Sequence, residues 1–271
     1  MKFKKVAAFA ACGALVAAMG LFGCSNSQSS SSASAESNAT EVEVLNDGQL
    51  TVVLSPDYPP FENVEEGEIV GFEVELFQKV AEQLGLQYNP VQMQFDAIIP
   101  AIVAGGQGDI GVSGFTVTPE RGKEIDFTST FYIDNQGVAV MKGSKITSEN
   151  AATELNKSDV IIAVQTGTTG ETYAKENFPN AKIQGYGNST DCFAAMQAGQ
   201  ATAVCTNLAV VDRMIKSAYQ DAEVVYQAPT GEEYAAVVAK DNPQLTEKIN
   251  EALKTLEENG TIQQLEEKWF Q

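Results

Sequence analysis

The chain has 271 residues, 44% of them hydrophobic, with a net charge of −19 and no histidine. That length suits one large domain or two small ones with a real core. The acidity argues against nucleic acid as a partner, since phosphate binding needs clustered Lys and Arg. The lack of histidine removes Ser-His-Asp catalysis, Cys-His catalysis and the common zinc sites. No cofactor or metal is expected.

The N-terminus carries a targeting pattern. "MKFKK" is basic, and "VAAFAACGALVAAMGLF" is apolar but too short for a confident membrane span. It ends at "LFGC", which resembles the lipobox of bacterial lipoproteins, although Phe22 is bulkier than usual there. Residues 1–23 are therefore expected to be a signal peptide, with Cys24 as the lipidated residue. Cys12 is the rival, with too little apolar chain upstream; ordinary secretion with cleavage elsewhere is the other reading. Cleavage before Cys24 removes Lys2, Lys4 and Lys5 and takes the charge from −19 to −22. The Ser-rich stretch over 24–43 has no periodicity and is expected to be a disordered tether.

The folded part is expected to start near residue 44. "LTVVLS" (50–55) predicts a strand and "YPPFE" (58–62) a loop. Phe72, Leu76, Phe77, Val80, Ala81 and Leu84 share one face, which predicts a helix over 71–85 closed by Gly85. A strand region follows in "LQYNPVQM". The stretch 95–106 predicts a second helix, in which Pro100 is tolerable only near the first turn. "GDIGVSG" (108–114) reads as a short buried strand. In "TVTPER", Thr118 suits an N-cap and Pro119 the first helical position. Arg121 then falls in a first turn, against the helix dipole, so another role is expected for it.

A second round follows: strand 159–165, helix 168–178, strand "AKIQGY", helix 189–200 and strand 201–206. Two extended stretches, 129–143 and 222–240, connect the halves, and two C-terminal helices pack back on the first. The expectation is an α/β fold with mostly parallel sheets and two lobes, 44–132 with 231–271 and 133–230. Two crossovers would form a hinge beside a ligand cleft.

Four stretches in this order resemble the polar amino-acid-binding proteins of ABC transporters, which have the two-lobed periplasmic-binding-protein-like fold. They are "GFEVELFQKVAEQL", "FDAIIPAIVAGGQGDIGVSGFTVTPERGKEIDFTSTFY", "AVQTGTTGETYAKE" and "LKTLEENGTIQQLEEKWF", and the resemblance spans about residues 45–271. It implies a monomer that captures an amino acid and hands it to an ABC permease, held to the outer face of the cell membrane by its lipid alone. It also implies that Arg121 clamps the ligand carboxylate beside Thr116 and the Gly114 carbonyl. Thr168 and Thr169 would add a second carboxylate contact, and Tyr58 and Phe95 would sandwich the aliphatic part. Ser55 and Gln165 would contact the side chain, with Tyr234 a weaker candidate.

The physics of the residues agrees. A guanidinium offers a carboxylate two parallel donors, and a strand-to-helix turn favours an anion. Capping threonines, core aromatics and a surface arginine are the plainer readings of the same residues.

One position departs from the family pattern. The family places an aspartate for the ligand ammonium where this chain has Asn207. Asn accepts a hydrogen bond but carries no charge. Another carboxylate, with Asp57 the candidate, could replace it; otherwise affinity would be modest or the ligand would lack an ammonium. Cys192 and Cys205 stand at the ends of a helix-strand hairpin, so a disulfide is expected, two free buried thiols being the other reading. A receptor subunit for amino-acid sensing and a dehydratase-like enzyme on the same fold are the functional alternatives. Gln165 and Ser55 favour a polar ligand such as glutamine, with cystine as a further candidate.

Overall fold

The computed structural model describes residues 42–271. The expected signal peptide, the expected lipidation residue Cys24 and most of the Ser-rich stretch lie outside the described residues.

The first strand, β1 (Gln49–Leu54), has five of its six residues buried. β2 (Asp57–Tyr58), β3 (Glu62–Glu65) and β4 (Glu68–Val70) form a small antiparallel sheet around the expected loop, whose residues 59–61 form a turn between β2 and β3. α1 (Phe72–Leu84) ends on Gly85 in the left-handed conformation, with φ 70°. Gly71 precedes it at φ 148°, where a Cβ would lie 2.0 Å from the Phe61 carbonyl oxygen. β5 (Gln87–Gln92) is an edge strand, which is why it tolerates Pro90. α2 (Phe95–Ala104) holds Pro100 in its second turn rather than its first. Pro100 is exposed there, so the carbonyl it leaves without a donor can meet water.

β6 (Ile110–Gly111) leads to a single 3₁₀ turn at Arg121–Lys123, not an α-helix. Thr118 Oγ1 still accepts from the Arg121 N–H at 3.2 Å, as a cap does. β7 (Ile125–Phe127) and β8 (Tyr132–Met141) follow. The second round runs α3 (Ala151–Glu154), β9 (Ile161–Gln165), α4 (Thr169–Asn177), β10 (Lys182–Tyr186), α5 (Ser189–Gln197) and β11 (Ala203–Asn207). The chain closes with α6 (Leu208–Ser217), β12 (Ala222–Tyr234), β13 (Val237–Ala239), α7 (Pro243–Glu258) and α8 (Thr261–Trp269).

Two five-stranded sheets centre the two lobes, in the orders β5-β1-β6-β13-β7 and β10-β9-β11-β8-β12. Each is mixed rather than mostly parallel. β1 pairs parallel with β5 and β6, and β9 with β10 and β11, whereas β13, β8 and β12 pair antiparallel. The antiparallel strands follow from the return crossover. β8 leaves the first lobe and β12 comes back beside it, joined by Phe131 N–H to the Tyr234 carbonyl at 3.0 Å.

The expected disulfide does not form: Cys192 and Cys205 are free and buried. Strand alternation explains it. On β11, Val204 faces the same core as Cys192, Phe193 and Met196 of α5, while Cys205 faces the opposite core with Val138, Val164 and Phe178. The hairpin argument placed the two at one edge but did not fix which face of the sheet each occupies.

Candidate functional site

Arg121 organises the cleft. Its Nη1 donates to the Thr116 carbonyl at 2.9 Å and its Nη2 to the Gly167 carbonyl of the second lobe at 3.2 Å. The guanidinium carbon sits 5.5 Å from the Phe95 ring centre and 5.3 Å from that of Phe115, which stack on each other at 4.8 Å. Burial pulls the guanidinium below the usual arginine value, and the Glu232 carboxylate works against that shift.

Across from it, Thr168 caps α4. Its Oγ1 accepts from the Glu171 N–H at 3.1 Å and donates to the Gln165 carbonyl at 2.7 Å. That hydroxyl is occupied by the cap, so the turn offers an anion chiefly its backbone N–H groups and the dipole. Thr169 Oγ1 instead donates to Glu232 at 2.7 Å.

These groups close around a tight pocket with room for about one water molecule. Nine of the expected residues line it: Asp57, Tyr58, Phe95, Gly114, Arg121, Gln165, Thr168, Thr169 and Asn207. Ser113 also lines it, unforeseen from the sequence. Ser55, Thr116 and Tyr234 do not line it. Ser55 Oγ holds Asp57 at 2.7 Å, Thr116 stands behind, and Tyr234 is fully buried against Phe61 and Tyr132. A larger, half-open groove near Tyr132, Asp212 and Phe270 lacks an arginine set on aromatic rings.

The lobes meet across the cavity. Tyr58 Oη donates to Asn207 Oδ1 at 2.5 Å and lies 3.2 Å from Thr206 Oγ1. Asp57 accepts from the Ser189 N–H at the start of α5, by a short contact, and from Gln165 Nε2 at 3.2 Å. Burial raises the Asp57 carboxyl above its ordinary range.

Beneath the Ser113–Gly114 loop lie two carboxyls, Glu62 and Glu73, both almost fully buried. Ser113 Oγ donates to Glu62 at 2.6 Å, and the Gly114 N–H donates to Glu73 at 2.9 Å. Burial raises Glu73 to about 7. Burial and the neighbouring Glu73 charge raise Glu62 as well. Gly114 itself has φ 58°, and a Cβ there would press to 3.1 Å on the Tyr58 ring.

The sequence reading also missed Glu232 and Gln136. The Glu232 carboxylate accepts from Thr116, Thr169, Gln136 and Asn207 at 2.7–3.1 Å. One signal was available: Glu232 is two residues before Tyr234 on a strand, so the two share a face.

Two α/β lobes joined by paired crossovers, with a half-buried arginine facing a helix N-terminus across an enclosed polar cavity, define a two-lobed solute-binding protein. Residues 50–271 match the profile of the bacterial extracellular solute-binding proteins, family 3, and the chain belongs to that family. It is 30% identical over 238 residues to the ABC transporter arginine-binding protein 1 of Escherichia coli (strain K12), covering 86% of this chain and 93% of that one. It is 29% identical over 262 residues to the ABC transporter glutamine-binding protein GlnH of Bacillus subtilis (strain 168), covering 94% of each. Among solved structures, the ancestral amino acid-binding protein AncCDT-1, described as a precursor of cyclohexadienyl dehydratase, superposes with a TM-score of 0.77 at 35% identity, covering 83% of this chain and 96% of that one. Among the described residues, no helix is long and apolar enough to cross a membrane.

Proposed function

We propose that this protein captures a single free polar amino acid between its lobes and delivers it to an ABC importer permease. The observation that carries this reading is Arg121, seated on Phe95 and Phe115 and facing the N-terminus of α4 across one cavity. The guanidinium would release its carbonyl contacts and clamp the ligand carboxylate from one lobe. The backbone N–H groups at Thr168 and Thr169 would take the same carboxylate from the other, and a ligand that bridges both lobes favours the closed form.

Tyr58 and Phe95 would flank the aliphatic part. The side chain would point toward Asp57 and Gln165, whose acceptors favour a ligand that ends in N–H donors. Glutamine and arginine, the ligands named for the relatives, both do. Residues 44–132 with 231–271, and 133–230, are assigned to the two lobes. Lipidated Cys24 would hold a monomer at the outer face of the cell membrane, with residues 25–43 as tether. A non-catalytic role is supported by Glu62 and Glu73, whose raised carboxyls are engaged with the Ser113–Gly114 loop rather than turned to the cavity.

The test is thermal shift of the chain from residue 25 onward against the twenty amino acids and cystine, with Arg121→Ala beside it. A ligand at a thousand times its Kd stabilises by about 4 kcal/mol. A shift for a few amino acids that vanishes in Arg121→Ala is expected. No shift with any amino acid would overturn the reading.

A further inference from the structure

The cleft wall holds a negative charge behind Asn207. Glu232 on β12 is 8% exposed. Its Oε2 accepts from Thr116 Oγ1 at 2.7 Å, Thr169 Oγ1 at 2.7 Å and Asn207 Nδ2 at 3.1 Å, and its Oε1 accepts from Gln136 Nε2 at 2.7 Å. Every one of these donors is neutral, and none of the ion pairs among the described residues includes Glu232. Its hydrogen-bond partners are all neutral, and the nearby Arg121 guanidinium feels its charge without forming an ion pair with it.

The same bonds fix what the cavity sees. Asn207 turns its Nδ2 toward Glu232, so its Oδ1 faces Tyr58 and the cleft. Thr169 gives its proton to Glu232 and takes one from Gln136 Nε2 at 3.2 Å, which leaves one lone pair of its hydroxyl for the cavity. The wall therefore presents acceptors, with a formal charge directly behind them. An ammonium, with three donors and one positive charge, is the complementary group.

We propose that Glu232 is the positioning residue and countercharge for the α-ammonium of the bound amino acid, acting through Asn207 and Thr169. The charge that Asn207 lacks has moved to the adjacent wall, and Asn207 and Thr169 relay it. This rests on the amino-acid reading above. Asp57, the carboxylate that the sequence nominated for this task, is engaged instead with Ser55, Gln165 and Ser189.

The experiment is calorimetry on the chain from residue 25 onward with two ligand pairs: L-glutamine against glutaramic acid, and L-arginine against 5-guanidinopentanoic acid. Each second ligand lacks only the α-ammonium. Wild type is expected to prefer the amino acid. Glu232→Gln, which keeps the shape and an acceptor, is expected to weaken the amino acid on the order of tenfold to a hundredfold while leaving the deamino acid unchanged. Asn207→Asp with Glu232→Gln restores a carboxylate beside the same site and is expected to recover the preference. Equal weakening of both members of a pair would mean a structural role and overturn the proposal, as would an unchanged preference. Wild type that binds neither amino acid would overturn the ligand reading on which the proposal rests.

Discussion

Tyr58 and Asn207 bridge the cleft, with Tyr58 Oη donating to Asn207 Oδ1 at 2.5 Å from the opposite lobe. The bond joins the small β2–β4 sheet to the N-cap of α6. It is buried, so its net contribution is about 1 kcal/mol. Tyr58→Phe keeps the ring against the ligand and removes only this link. The closed form then loses part of its advantage, and Kd is expected to rise about fivefold. Calorimetry with the amino acid that shifts the wild type checks it. An unchanged Kd would mean that the bond contributes nothing to closure.

The cleft residues were legible where local chemistry is unambiguous. Arg121 follows a Thr-Pro start, Thr168 precedes a helix, and the face of α1 repeats at helical spacing. Glu232 was not, because it sits in "GEEY" beside an exposed Glu233, and two adjacent acids on a strand look like surface. Counting back two residues from Tyr234 picks out Glu232, whereas counting forward from the start of the strand does not. β12 shifts register against β8 between Val224 and Tyr226 and again between Ala228 and Glu232. Each shift breaks the count of alternate residues along the strand. The cysteines failed for a related reason, since spacing along a hairpin does not say which face of the sheet a strand residue takes. The α6 helix was absorbed into the stretch compared for Asn207, although Val210, Val211 and Met214 form its buried face.

The Glu62–Glu73 pair makes stability depend on pH. Glu73 titrates near 7 in the folded protein because burial disfavours its charge, against about 4.3 for a free side chain. A raised carboxyl binds its proton more tightly when folded, so its contribution is complete below the unfolded value and is lost as pH rises through about 7. Glu62 and Asp134, raised mainly by burial, act in the same direction. The melting temperature is therefore expected to fall between pH 5 and 8. Glu73→Gln, which can still accept from the Gly114 N–H, is expected to flatten that fall by a few degrees, given about 2–4 °C per kcal/mol for a domain of this size. Equal slopes in the two proteins would remove Glu73 as a source.

The two thiols give a separate check on the fold. Burial pushes Cys205 up to about 12 and Cys192 higher still, so neither is a ready thiolate. In the chain from residue 25 onward, a thiol reagent is expected to count essentially none in the folded state and two after denaturation. Adding reductant is expected to leave the melting temperature unchanged. A drop on reduction, with an intact mass two hydrogen atoms lighter beforehand, would mean that the opposite-face placement of Cys205 is wrong.

Asp57 has two jobs open to it, and one substitution separates them. Its carboxylate joins the lobes through the Ser189 N–H and Gln165, and it lines the cavity. As a latch alone it would influence every ligand alike. As the contact for a ligand side chain it would favour a cation, because a hydrogen bond to a charged group contributes about 1.5–3 kcal/mol against about 1 for a neutral one. Asp57→Asn is therefore expected to weaken L-arginine about tenfold more than L-glutamine. The ratio of the two dissociation constants is the quantity to follow, since loss of the latch cancels from it. A ratio that stays at its wild-type value would assign Asp57 to closure and leave Gln165 to read the side chain.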